Sequence, residues 1–499
     1  MNNSRKNKVI KNIVISFLSK FLMFAIGIVI PRLVIVGYGS EINGLLTTVS
    51  NIYSYLALIQ AGVGTAATQA LYKPIAQKDR EGISAVLVAT KQYFRRLTKW
   101  YALGVAVFAV VYPFLVKTTI AHWIVFMIIL INGFSTILTY WFLSTLQALL
   151  TADGKDYITQ AIQFGVFILN SAVKICLLMA GINIVVIELA YLMINIVQIL
   201  VYSLYIKKVY PWIEWKCEGN SLALNKRKHF LLNGVAWTVF NSTDTIIIST
   251  FCGLIFSSVY AMYNMIFANL NLVFAIFYNS IYFVLGQVYY EDREKYVKMQ
   301  DTFESCISAL IFGLLSVTYI LILPFLKLYT AGVTDVNYID VYLPVLFCFA
   351  QILSNCRMIS GNLINLTNSP EMTNKASIAE VIINISLSIV LANIIGLHGV
   401  LIATVVALFF KTNYIIVISN RKLLNRSPGR TYLTICINMF LFFTVMFFTY
   451  KVDLNISGYM DLVMWGIVLV ITIIPVYFAV NFIFNPKALS FIFKNKVKV

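Results

Sequence analysis

The chain has 499 residues, of which 60% are hydrophobic and 12% charged, and 38 Lys+Arg against 20 Asp+Glu give it a net charge of +18. A soluble protein sits near half apolar and a quarter charged, so this composition, with a mean hydropathy of +0.84, excludes a string of soluble domains and points to one polytopic membrane bundle. The basic excess does not imply nucleic acid, because Lys and Arg of membrane proteins collect in cytoplasmic loops.

The basic start MNNSRKNKVIK leads into an apolar stretch at 13–36. That stretch is longer than a signal-peptide core and more spans follow, so it is read as an uncleaved first helix. Apolar runs long enough to cross a bilayer then recur at 43–71, 97–116, 122–148, 157–180, 184–206, 232–252, 258–287, 303–326, 342–366, 376–396, 399–419, 432–450 and 461–484, fourteen in all. The fold class expected is therefore all-α. With the N-terminus placed inside, thirty basic residues fall in inner segments and three (Lys117, Lys327, Lys451) in outer loops. That asymmetry orients the chain with both ends cytoplasmic.

A polar, basic segment at 207–231 divides the chain after six spans. The expected organisation is a six-helix lobe at 1–206, a linker at 207–231, a second six-helix lobe at 232–419, and two further helices with a basic tail at 420–499. Transporters are often built from such repeats. Similarity between the halves is faint: each has a polar-faced first helix, a glycine-containing turn and a long polar second helix.

Five spans carry polar residues at helical spacing: Thr47, Asn51 and Ser54; Asn132, Thr136 and Tyr140; Asn241 and Asp244; Asn264, Asn271 and Tyr278; Gln351 and Asn355. Interhelical hydrogen bonding would explain any one of them, whereas five across both halves favour a solvated central cavity. The eleventh, twelfth and fourteenth spans are more uniformly apolar and are expected to face lipid.

Eight charges lie inside apolar stretches: Lys20, Arg32, Lys174, Glu188, Asp244, Arg357, Glu380 and Lys411. Each costs about 2.5–3.5 kcal/mol at mid-helix on the insertion scale. Arg32 and Glu380 are placed near span ends with a route to the interface, and Lys20 and Lys411 about two turns deep, within snorkelling reach. Arg357 and Asp244 are deeper. Lys174 lies seven residues before Gly181 and Glu188 seven after it, so both sit ~10 Å below one hairpin tip and can pair if both face the contact. Five cations against three anions suit an anionic solute. The cavity candidates are Lys20, Lys174, Arg357, Asn51, Asn132, Asn264 and Asn355, with Asp244 and Glu188 as coupling or ion-pair residues.

No enzyme is expected. The outer loops are short, and their acids Asp335, Asp340 and Asp453 stand on exposed turns rather than around a cleft. There is no nucleotide-binding loop of Walker type. Seven scattered cysteines and three distant histidines match neither a disulfide framework nor a metal site, and no cofactor is expected.

The segment IVIPRLVIVGYGSEINGLLTTVSNIYSYLALIQAGVGTAATQALYKPIAQKD at 28–79 resembles the start of the Wzx-type oligosaccharide flippases of the multidrug/oligosaccharidyl-lipid/polysaccharide exporter superfamily. The matching features are a first helix ending in Pro31, the turn Gly39–Gly44 opening the second, and Gly62 and Gly64 ahead of a basic stretch. The segment beginning at Asp244 is similar to the corresponding second-half segment, and the twelve-plus-two layout fits nearly the whole chain. Gln69 stands where many relatives carry a basic residue, so no phosphate contact is carried over to it. The resemblance implies two six-helix lobes with alternating access and a substrate that is an oligosaccharide on a polyprenyl diphosphate. It further implies a bacterial inner-membrane location and, as partners, the bilayer and other polysaccharide-assembly membrane proteins. A cation-coupled multidrug antiporter, a lipid II flippase and an integral-membrane glycosyl polymerase remain as alternatives.

Overall fold

A computed structural model describes residues 26–219, 242–366, 371–449 and 456–494. Among them the regular structure is helical, and the helices follow the predicted spans in order. We label them α1 (Ile26–Tyr38), α2 (Ser40–Gln77), α3 (Arg80–Leu115), α4 (His122–Ala152), α5 (Asp156–Met179), α6 (Ile184–Val209) and α7 (242–252). Then come α8 (Leu254–Glu291), α9 (Arg293–Tyr329) and α10 (Leu343–Leu366). The long helix Glu371–Ile418 is broken at Ile395 and Gly396, and its arms are α11 (371–394) and α12 (397–418). Gly429–Thr449 is α13, Tyr459–Phe484 is α14, and a short helix Pro486–Lys494, α15, follows. Nine helices among the described residues are long and apolar enough to cross a membrane, one of them holding both α11 and α12. The protein is a multi-pass membrane bundle.

The segment 72–96, left between two predicted spans, is helical except at Lys78 and Asp79. The reason is that Arg, Lys, Gln and Glu favour helix as strongly as most apolar residues do. Hydropathy marks the stretch that suits lipid, not the end of the helix. Asp79 opens α3 as its N-cap, accepting the Gly82 amide, while Lys78 closes α2 in the left-handed region at φ 56°.

The repeat that is faint in sequence is plain in the backbone. Gly39 (φ 85°, ψ 165°) and Gly253 (φ 104°, ψ 168°) precede α2 and α8 in nearly the same conformation, one that suits glycine. The two helices have equal length, 38 residues. α3 and α9 have 36 and 37 residues, and each is N-capped by an aspartate, Asp79 and Asp292. The hairpins α5–α6 and α11–α12 both turn on a glycine with positive φ, Gly181 at 67° and Gly396 at 61°.

The chain divides into two compact units, residues 1–258 and 259–499. In the first, α2 packs on α3, α3 on α4, and α6 on both α4 and α5. One of its cores gathers Leu45, Val49, Tyr101, Val105, Ile128 and Ile187. Gly44 permits a close approach of α2 to the start of α8: a Cβ there would lie 1.8 Å from the Leu254 carbonyl oxygen. Hydrogen bonds from Asn43 to Ser258 (2.8 Å) and between Thr48 and Ser257 (3.0 Å) line the same contact. In the second unit α9 is central, packed against α10, α13, α14 and α15, with Ser316 bonded to Tyr477 and Asn438 to Asn481.

Candidate functional site

Five of the eight intramembrane charges gather into two clusters, one in each unit. In the first unit the cluster spans three helices. Lys174 of α5 donates to Oε1 of Glu188 on α6 at 2.8 Å, and Asn132 of α4 donates to Oε2 at 3.1 Å. Both residues of the hairpin therefore face the contact that their equal depth allowed. Two turns beyond, Asn195 of α6 donates to Ser135 of α4 (2.7 Å) and accepts from Asn170 of α5 (3.4 Å). The opposite face of α6, with Leu189, Met193, Leu200 and Leu204, is exposed and apolar, as a lipid-facing surface must be.

In the second unit the carboxylate is Glu380 of α11. Arg357 of α10 donates to its Oε1 and Lys411 of α12 to its Oε2, each at 2.5 Å. Four residues on, Asn384 of α11 donates to Thr404 of α12 at 2.9 Å. Glu380 is sixteen residues before Gly396 and Lys411 fifteen after it, which places the cluster ~23 Å below that hairpin tip along the helix axes.

These contacts revise three readings. Glu380 does not reach an interface: its side chain is buried between two cations. Lys411 does not snorkel away from the helices but turns in to the same carboxylate. Neither α11 nor α12 is uniformly apolar, since both present polar side chains to their partner and keep Ile378, Ile382, Ile394 and Phe409 for the exposed face. The reason is common to all three. An unpaired charge in an apolar bundle costs more than one paired and hydrogen-bonded, and the three helices bring opposite charges within reach.

In both clusters the carboxylate is the deeper member. The Glu188 side chain is 3% exposed against 19% for Lys174, and Glu380 is 2% exposed against 10% for Arg357 and 15% for Lys411. The accessible edge of each cluster is thus cationic.

The other predicted residues separate. Asn51 is half-buried and bonds back to the Thr47 carbonyl. Asn355 is buried, bonded to the Gln351 carbonyl and, at 3.4 Å, to Asn271. Asn264 is half-buried on α8. Asp244 is buried next to Thr243, whose hydroxyl meets that of Tyr55. Lys20 and Asn241 lie outside the described residues. In α4 the stripe Asn132, Thr136 and Tyr140 is half-buried throughout, and a π-helical turn at Thr139–Leu143 interrupts the helix beside it. Such turns are frequent at functional positions.

In the loop before α10, Asp340 bonds His398 at 2.8 Å and accepts the Tyr342 and Leu343 amides at the start of that helix. Its role in this arrangement is structural. Asp453 lies outside the described residues. No group of His, Cys, Asp and Glu among the described residues could hold a metal ion.

Two polar clusters were not anticipated. Asp301, near the start of α9, is gripped by both Arg426 and Arg430, with Glu304 3.7 Å from Arg426. The four-residue spacing of the arginines, matched by Asp301 and Glu304 one turn apart, was the available signal. Between α4 and α6, Tyr210 donates to Asp153 at 2.5 Å and accepts from Lys155. Burial first, and then the Asp153 carboxylate, push the Tyr210 hydroxyl pKa up to about 12.

No protein-family model matches the chain, and no curated protein matches it. Solved structures do. The lipid II flippase MurJ in an inward closed conformation superposes with a TM-score of 0.69 at 12% identity, covering 95% of this chain and 100% of that one. An inward-facing multidrug resistance MATE family transporter of the MOP superfamily gives 0.60 at 13% identity, covering 85% and 94%. A MOP superfamily transporter from Pyrococcus furiosus, described by the reversed polarity of its binding pocket, gives 0.51 at 14%, covering 82% and 96%. The chain shares the fold of these three proteins.

Proposed function

We propose that the protein is a flippase that moves a polyprenyl-diphosphate-linked oligosaccharide from the cytoplasmic to the outer leaflet for cell-surface polysaccharide assembly. It works by alternating access between two six-helix lobes, with both termini in the cytoplasm of a bacterial inner membrane. The observation that carries this reading is the cationic edge of both intramembrane clusters, with each carboxylate buried beneath its cations. A glycan diphosphate cannot cross hydrocarbon unaided, because its polar groups would go unsatisfied. The prenyl tail can stay in lipid. The protein must then offer anionic groups a positive surface within the bilayer, and Arg357 and Lys411 form the more accessible side of the cluster around Glu380. Arg357 is the stronger candidate for a diphosphate contact, because guanidinium binds phosphate oxygens in a bidentate fork. A cation-driven antiporter calls instead for an accessible carboxylate, and neither Glu188 nor Glu380 is one.

Flipping of lipid II is a second reading. It is favoured by the extent of the match to that flippase, which includes the two helices beyond the twelve. The deciding experiment removes the protein from its native cell. Lipid-linked repeat units should accumulate on the cytoplasmic side while surface glycan falls. Loss of cell-wall synthesis with normal surface polysaccharide would select lipid II, and normal glycan with raised drug sensitivity would select the antiporter.

A further inference from the structure

Away from the charged clusters, the inner end of the second unit holds a cavity of about 490 Å³ between the start of α9, the start of α13 and α15. Four cations line it: Lys295, Lys298, Arg430 and Lys487. Of its three acids, Glu294 is exposed in the first turn of α9 and the other two are engaged. Asp301 is taken up by Arg426 and Arg430, and Asp292 caps α9 through the Lys295 amide. The three lysines are exposed, and none makes an ion pair among the described residues. Arg430 and Lys487 also belong to a second cleft of about 250 Å³, which continues along α13 and α14 past Leu433, Ile437 and Phe484. Leu433 and Phe484 are 52% and 59% exposed, so the cleft opens on the apolar flank of the helix pair.

A basic pocket running into an apolar groove has the two-part chemistry of an anionic phospholipid, phosphate at one end and acyl chain at the other. The charge asymmetry of the sequence assigns this end of the unit to the cytoplasm, the side on which anionic lipids gather and basic interhelical pockets bind their head groups. We propose that this cleft is a binding site for an anionic phospholipid of the inner leaflet, its phosphate among Lys295, Lys298 and Lys487 and its chain along α13 and α14. A bound lipid would tie α15 and the α13–α14 pair to α9. The site is separate from the Glu188 and Glu380 clusters and takes a resident lipid rather than the transported one.

The test is native mass spectrometry of the full-length protein with dioleoyl phosphatidylglycerol and dioleoyl phosphatidylcholine as probes. The wild type should retain phosphatidylglycerol in preference. Lys295→Gln, Lys298→Gln and Lys487→Gln combined should weaken that binding about tenfold or more, given the attraction each basic residue contributes near an anionic surface, and leave phosphatidylcholine unchanged. A control removing equal charge elsewhere, Lys207→Gln, Lys208→Gln and Lys216→Gln, should bind as the wild type does. Melting in detergent checks that both triple variants are folded. Unchanged binding by the first variant, or equal loss in the control, overturns the site. Displacement by millimolar inorganic phosphate would make it a free-anion site, and stronger binding of polyprenyl diphosphate would give it to the transported carrier. Either result overturns the proposal.

Discussion

The hairpins α5–α6 and α11–α12 occupy equivalent places in the repeat, yet they carry their charges differently. In the first, the cation is on the leading helix and the anion on the returning one, ~10 Å from the turn. In the second the signs are exchanged, and the pair lies ~23 Å from the turn. The helix preceding each hairpin also contributes, but α4 offers a neutral amide, Asn132, where α10 offers a second cation, Arg357. One carboxylate therefore meets one cation and an amide, and the other meets two cations. A balanced pair is what a static helix contact requires. Two cations around one carboxylate suit the anion contact proposed for Arg357.

The largest effect should come from Glu380→Gln, which strands two buried cations at once. Breaking a buried pair by removing one partner costs about 3–5 kcal/mol, and this variant should reach the upper end. Folded yield by fluorescence-detected size-exclusion chromatography measures it, and a yield near wild type would mean that the two cations repel less than their shared partner suggests.

Next come Lys174→Gln and Glu188→Gln. Each should lower yield toward the bottom of that same range of about 3–5 kcal/mol, because Lys174 keeps partial access to its surroundings. Exchanging the two residues, Lys174→Glu with Glu188→Lys, should restore yield. If export returns with it, the pair is a structural clasp. If yield returns without export, Lys174 also meets the substrate. Additive losses in the double variant would remove the coupling altogether.

The smallest effect on folding should be that of Arg357→Gln, because Lys411 still neutralises Glu380. The loss should stay near the ~1 kcal/mol typical of point variants, while export of lipid-linked glycan falls sharply. This is the sharpest separation of the two hairpins: removing Lys174 should harm the fold first, and removing Arg357 should harm transport first. Normal transport by folded Arg357→Gln would end its assignment to the substrate.

Membrane spans were legible because lipid imposes one rule, a long apolar run, on each of them. Every predicted span has a helical counterpart among the described residues. The charged residues were legible as a set, since a Lys or Glu in an apolar run is conspicuous wherever it stands. Even the Lys174–Glu188 depth match could be counted along the chain, because both residues refer to one short turn at Gly181.

The sequence by itself determined the membrane class, the order of the spans and the identity of the costly charges, while α15 formed where only a basic tail was expected. Only the tertiary structure decided which charges meet. Glu380, Arg357 and Lys411 stand 23 and 31 residues apart on three helices, and whether they converge depends on the rotation of each helix about its axis. That rotation is set by packing against neighbours, which a single helix's periodicity does not encode when its apolar residues run all round. The same holds for Asp301 with Arg426 and Arg430, more than a hundred residues apart. Hydropathy is a property of one segment, and a buried ion pair is a property of two or three segments in contact.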